Sequence, residues 1–103
     1  MIVIDTLSQK AAPPSDMIKR QVDFLQDKGS KEKILISGPF ADGKGGYILW
    51  RVDSLREAES ISKEDPFFKE GNSDFTLREC EIGFDYTMKP PVISQLKKAF
   101  YIV

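Results

Sequence analysis

The side chains able to move a proton in this chain are few in kind. Its 103 residues carry 15 Lys and Arg, 16 Asp and Glu, one cysteine and no histidine. Without an imidazole there is no Ser-His-Asp or Cys-His arrangement, and one cysteine leaves no zinc ligand set. Acid–base work falls to Asp, Glu, Lys, Tyr, Cys80 or the chain ends. Three polar residues stand out by position. Ile18, Gln21, Val22 and Leu25 follow the spacing i, i+3, i+4, i+7, which puts Gln21 on an apolar helical stripe. A polar group there needs a hydrogen-bond partner or a cavity. Asp42, in the glycine-rich segment 38–46, reads either as a turn former or as a functional acid. Asp65, before Pro66, reads either as a helix terminator or as a site residue.

Other motifs weaken on inspection. Gly38-Pro39-Phe40-Ala41-Asp42-Gly43-Lys44 fits the phosphate-loop pattern G-x-x-x-x-G-K, but Gly45 stands where Ser or Thr should hold the metal. The segment that follows is patterned as a strand, so no helix N-terminus faces a phosphate; a hairpin turn is the simpler reading. Cys80 lacks a base to form thiolate and reads as a buried core thiol. The carboxylates show no calcium-loop spacing, so neither a metal nor a cofactor is expected. Lys97-Lys98 beside Phe100-Tyr101 reads as a solvated helix face, and a net charge of −1 offers nothing to draw nucleic acid.

These residues need elements to position them. Ile2-Val3-Ile4 opens a first strand that fades by Ser8. After Pro13-Pro14, Ser15 or Asp16 is placed to cap a helix carrying Met17, Ile18, Val22, Phe24 and Leu25, with Gly29 as its stop. Segments 33–37 and 47–52 read as a strand pair joined by the turn-rich segment 38–46. Ser54-Leu55-Arg56-Glu57 is a capping box opening a second helix, with Leu55, Ala58 and Ile61 on one face and Pro66 ending it. Segment 75–86 alternates as a fourth strand, with Cys80, Ile82, Phe84 and Tyr86 on one side.

The order βαββαβ predicts an α+β, ferredoxin-like fold: a four-stranded antiparallel sheet with two helices on one face. The other face should then be wetted and polar, yet Ile34 and Ile36 oppose Leu35, and Ile48, Trp50 and Val52 oppose Tyr47 and Leu49. Two apolar faces predict a homodimer packed sheet to sheet. The domain is expected to span residues 1–86. Residues 87–103 form a C-terminal extension, either a short helix or an edge strand. No leader-like start or membrane-length apolar run is present, and a lone cysteine suits a reducing compartment, so a cytoplasmic protein without membrane contact is expected.

Ser37-Gly38-Pro39-Phe40-Ala41-Asp42-Gly43, then Ser54-Leu55-Arg56-Glu57-Ala58, then Asp65-Pro66-Phe67 with Gly71, resemble in order and separation the YciI-like (YCII-related domain) family. The resemblance covers roughly residues 2–84 and implies a dimeric α+β barrel of ferredoxin-like subunits. It also implies a cleft holding a His and Asp pair, with the aspartate matched by Asp42 and the histidine's position falling on Gln21. Glutamine exchanges hydrogen bonds but carries no proton near neutral pH. The acid–base pair is therefore expected to be broken, leaving Gln21, Asp42, Tyr47, Trp50 and Asp65 as the ligand-binding candidates.

Three readings follow. In the preferred one, a cytoplasmic homodimer binds a small metabolite, an aromatic one included, without turning it over. In the second, a lyase or isomerase uses Asp42 as its only base, its pKa raised by burial. In the third, the chain is an assembly module with no ligand.

Overall fold

A computed structural model describes residues 1–81. The chain runs β1 (Ile2–Gln9), α1 (Ser15–Ser30), β2 (Ile34–Pro39), β3 (Gly45–Arg51), α2 (Leu55–Glu64), α3 (Pro66–Lys69) and β4 (Ser73–Cys80). The strands form one sheet in the order β2-β3-β1-β4, with every neighbouring pair antiparallel. This is the expected α+β, ferredoxin-like arrangement. Segments 82–86 and 87–103, with the tail's two alternatives, lie outside the described residues.

Residues facing one another across an antiparallel ladder share a face of the sheet. Val3 lies opposite Trp50, and Asp5 lies between Ile48 and Leu77. This face carries the core: Val3, Leu7, Ile48 and Trp50 are buried with Val52 and with Ala58 of α2. Phe24 and Leu25 of α1 and Ile61 of α2 pack onto them. Phe24 meets Trp50 edge-on, with ring centroids 6.2 Å apart.

Several local expectations shift. A bulge between Ile34 and Ile36 breaks the strict alternation of β2. Ile34 therefore packs on the core, whereas Ile36 joins Ile4 and Leu49 on the outer face and is 48% exposed. Gly38-Pro39 and Gly45-Gly46 belong to strands rather than to the turn, which contracts to residues 40–44. The first helix runs through Gly29 to Ser30 and has Pro14, not Ser15 or Asp16, at its N-cap. Pro66 does not simply stop α2; it occupies the first turn of α3, where its missing N–H costs nothing. Cys80 is half-buried opposite Ile2 rather than in the helix-facing core. The Ser54 box holds: its hydroxyl accepts from Glu57 N at 3.0 Å. The Glu57 carboxylate reaches one residue further back than expected, accepting from Asp53 N at 2.8 Å.

Candidate functional site

Ile18, Gln21, Val22 and Leu25, the stripe read from helical spacing, form one wall of a cavity of about 490 Å³. Leu7 and Ile48 of the sheet form its floor, and Pro39, Gly45 and Gly46 of the hairpin, with Phe67 of α3, are among the residues that close it. Ile18 and Val22 are each 44% exposed because they border this space instead of core. Gly45 has φ +144°, and a Cβ there would lie 1.9 Å from the Leu7 carbonyl oxygen, so only glycine lets the hairpin sit this close to β1.

Among the described residues, Gln21 is the one buried polar side chain lining the cavity, at 5% exposure. Its Nε2 donates to Asp65 Oδ2 at 2.9 Å, and its Oε1 accepts from Phe67 N at 3.4 Å. Asp65 is fully buried, and its Oδ1 accepts from Phe67 N at 2.9 Å, capping α3. The Asp65 carboxyl is pushed above the usual aspartate range by burial, against the opposing pull of the Gln21 amide and the backbone N–H groups of Phe67 and Phe68.

Sequence reasoning missed a second buried carboxylate behind this pair. Asp5 is fully buried; its Oδ2 accepts from Trp50 Nε1 at 3.0 Å and from Ser62 Oγ at 3.1 Å, while Oδ1 has no partner among the described residues. Burial pushes its pKa up to about 6 despite both hydrogen bonds, and neighbouring Asp65 adds to the rise. The signal was the alternation Val3, Asp5, Leu7, which puts an acid on the core face of β1.

The remaining candidates separate. Tyr47 lines the cavity, its ring centroid 5.9 Å from that of Phe40. Trp50 does not: it is fully buried in the core, with its indole N–H spent on Asp5. Asp65 holds Gln21 without lining the cavity itself. Asp42 is exposed in the turn, where its Oδ1 accepts from Lys44 N at 2.9 Å, so the burial expected of a base at this position is absent. The buried carboxylate that Gln21 meets is therefore Asp65, and not Asp42. Among the described residues, no group of three His, Cys, Asp or Glu side chains is placed to hold a metal ion. Among them, too, no helix is long and apolar enough to cross a membrane.

These features define a small ferredoxin-like α+β domain with an apolar cavity between its first helix and its central hairpin. The chain belongs to the YCII-related domain family, which matches residues 1–80. It is similar to uncharacterized protein YjpA of Bacillus subtilis (strain 168), with 33% identity over 60 residues, covering 58% of this chain and 71% of that protein. Its fold is similar to that of 5-chloro-2-hydroxyhydroquinone dehydrochlorinase (TftG) from Burkholderia phenoliruptrix AC1100, solved in complex with 2,5-dihydroxybenzoquinone. That likeness has a TM-score of 0.62 and 20% identity, covering 81% of this chain and 96% of the other.

Proposed function

We propose that this chain is a cytoplasmic, homodimeric small-molecule binder whose ligand enters the cavity beside Gln21 and is not turned over by acid–base chemistry. The observation that carries this reading is the Gln21 side chain, buried at a cavity wall and gripped at both ends of its amide. A volume of about 490 Å³ is within the ordinary range of ligand sites. The fold likeness to a quinone-bound dehydrochlorinase supports a small ring compound as the ligand class. Among the described residues, no lining side chain is an imidazole, carboxylate, amine or thiol, which argues against proton abstraction at this wall. The outer sheet face, with Ile4, Ile36 and Leu49 together, supports a second copy as its cover.

The test is crystallographic screening of the full chain against small ring fragments at millimolar concentration. Density in the cavity within hydrogen-bond reach of Gln21, lost in Val22→Trp, which fills the space, is the expected result. Fragments found only elsewhere, or none, would overturn the reading.

A further inference from the structure

Resting on that site, we infer that the cavity selects uncharged ligands that carry a hydrogen-bond acceptor, and rejects carboxylates, phosphates and ammonium compounds of similar shape. Sixteen of the described residues line it, and none of them is Asp, Glu, Lys or Arg. A charge brought into such a place loses its water and finds no counter-charge, a penalty that drives ionised groups out of apolar sites.

The hairpin backbone gives an anion little help. The turn has the glycine content of a phosphate cradle, but three of its five amides are spent on internal bonds. Gly43 N donates to Phe40 O at 3.0 Å, Lys44 N to Asp42 Oδ1 at 2.9 Å, and Phe40 N to Gly45 O at 2.9 Å. The buried charge nearest the wall is also of the wrong sign for an anion, since Asp65 sits directly behind Gln21. A cation fares no better: Asp65 is not part of the lining, and what stands between it and the cavity is the Gln21 amide.

The amide's orientation is set by its two neighbours. An ionised carboxylate only accepts and a backbone N–H only donates, so Nε2 must face Asp65 and Oε1 must face Phe67 N. One Nε2 hydrogen goes to Asp65. The other has no partner among the described residues, and it is the donor that Gln21 offers to a ligand. A carbonyl or ether oxygen on an apolar ring is its complement.

The test uses four probes of one shape on the full-length chain: acetophenone, benzoate, benzylammonium and ethylbenzene, each titrated while the side-chain amide signals of Gln21 are followed by ¹⁵N NMR. Acetophenone is expected to bind about tenfold or more tighter than either ion. It should also bind about threefold or more tighter than ethylbenzene, and it alone should move one Gln21 amide proton downfield. Benzoate or benzylammonium binding as tightly as acetophenone would overturn the inference while leaving the cavity a ligand site. Equal binding of ethylbenzene and acetophenone, with the Gln21 signals unmoved, would overturn the acceptor requirement. If no probe perturbs the cavity residues, the site reading fails and the inference falls with it.

Discussion

Gln21 Nε2 and Asp65 Oδ2 lie 2.9 Å apart across 44 residues of sequence, and both side chains are buried. The bond ties α1 to the start of α3 and holds the polar end of Gln21 against the cavity wall. Asp65→Ala removes a helix cap, worth about 1 kcal/mol, and leaves a buried amide short of an acceptor, worth about 1–3 kcal/mol more. A loss of about 3 kcal/mol in urea denaturation is expected. The double mutant Gln21→Leu/Asp65→Ala should be less destabilised than the sum of the singles, with a coupling of about 1–2 kcal/mol. Additivity within about 0.3 kcal/mol would mean that the two do not act as a pair.

Gln21→His tests what the natural glutamine withholds. The chain has no histidine, so the variant's imidazole gives the only such signals in an NMR titration. With Asp65 as neighbour, its folded-state pKa is expected above the ordinary value of about 6.5. A base with a raised folded pKa contributes stability that is present below about pH 6.5 and lost as pH rises through the folded value. A pKa below 6.5 would show that desolvation, not the Asp65 carboxylate, governs this position. Activity on a ring substrate that appears in the variant and not in the wild type would agree with a binding site lacking only its base.

How much of this was readable in the sequence depended on the range of the interaction. The capping box at Ser54 is complete within four residues, so local chemistry reveals it. Gln21 was found because helical spacing places it among Ile18, Val22 and Leu25. Its partner was harder: Asp65 and Asp42 both lie in turn-forming contexts, and only the docking of α3 beside α1 decides which carboxylate meets the amide. Trp50 reads as an aromatic lining candidate until the pairing of Val3 with Trp50 fixes it on the core face. The bulge that turns Ile36 outward has no mark in segment 33–37, since its cause is pairing with β3. The Asp5 alternation was present but overshadowed by the β-branched run around it.

Two glycine-to-alanine changes should have opposite signs. Gly45→Ala forces a side chain into a left-handed backbone and within 1.9 Å of the Leu7 carbonyl, so β1 and β3 must separate. A loss of about 3 kcal/mol or more is expected, with weakened binding in the cavity that Gly45 lines. Gly29, inside α1 with nothing within 4 Å of its Cβ position, should gain about 0.5–1 kcal/mol on the same change. Thermal melts of both variants decide the matter, and a stabilised Gly45→Ala would contradict the close approach of hairpin and strand.

The outer sheet face predicts an assembly change. Ile36 is 48% exposed beside Leu49, which lies across from Ile4. If a second copy covers this face, Ile36→Lys places a charge in the interface, and light scattering at micromolar concentration should move from twice the chain mass to one. A wild type that is already monomeric would remove the homodimer from the proposed function.

Asp5 makes stability depend on pH in an unusual direction. Its pKa rises from an ordinary 3.8 to about 6 on folding, so between those values the native state holds a proton that the unfolded chain has released. Stability therefore falls as pH rises through this window, by roughly 3 kcal/mol for the full shift. The Asp65 carboxyl, also raised, adds to the same trend, whereas exposed Asp16 and half-buried Glu57, both lowered by their cationic partners, oppose it weakly. Protonation at Oδ1, the oxygen without a partner among the described residues, removes the charge while Oδ2 keeps the Trp50 and Ser62 donors. Asp5→Asn abolishes the titration, at the cost of an amide N–H₂ where Oδ1 now sits. Its stability relative to wild type should be lower at pH 4 and rise by roughly 3 kcal/mol toward pH 8. Urea denaturation of both proteins at the two pH values measures this difference directly, and a gap that stays constant would mean that Asp5 remains ionised in the folded core throughout.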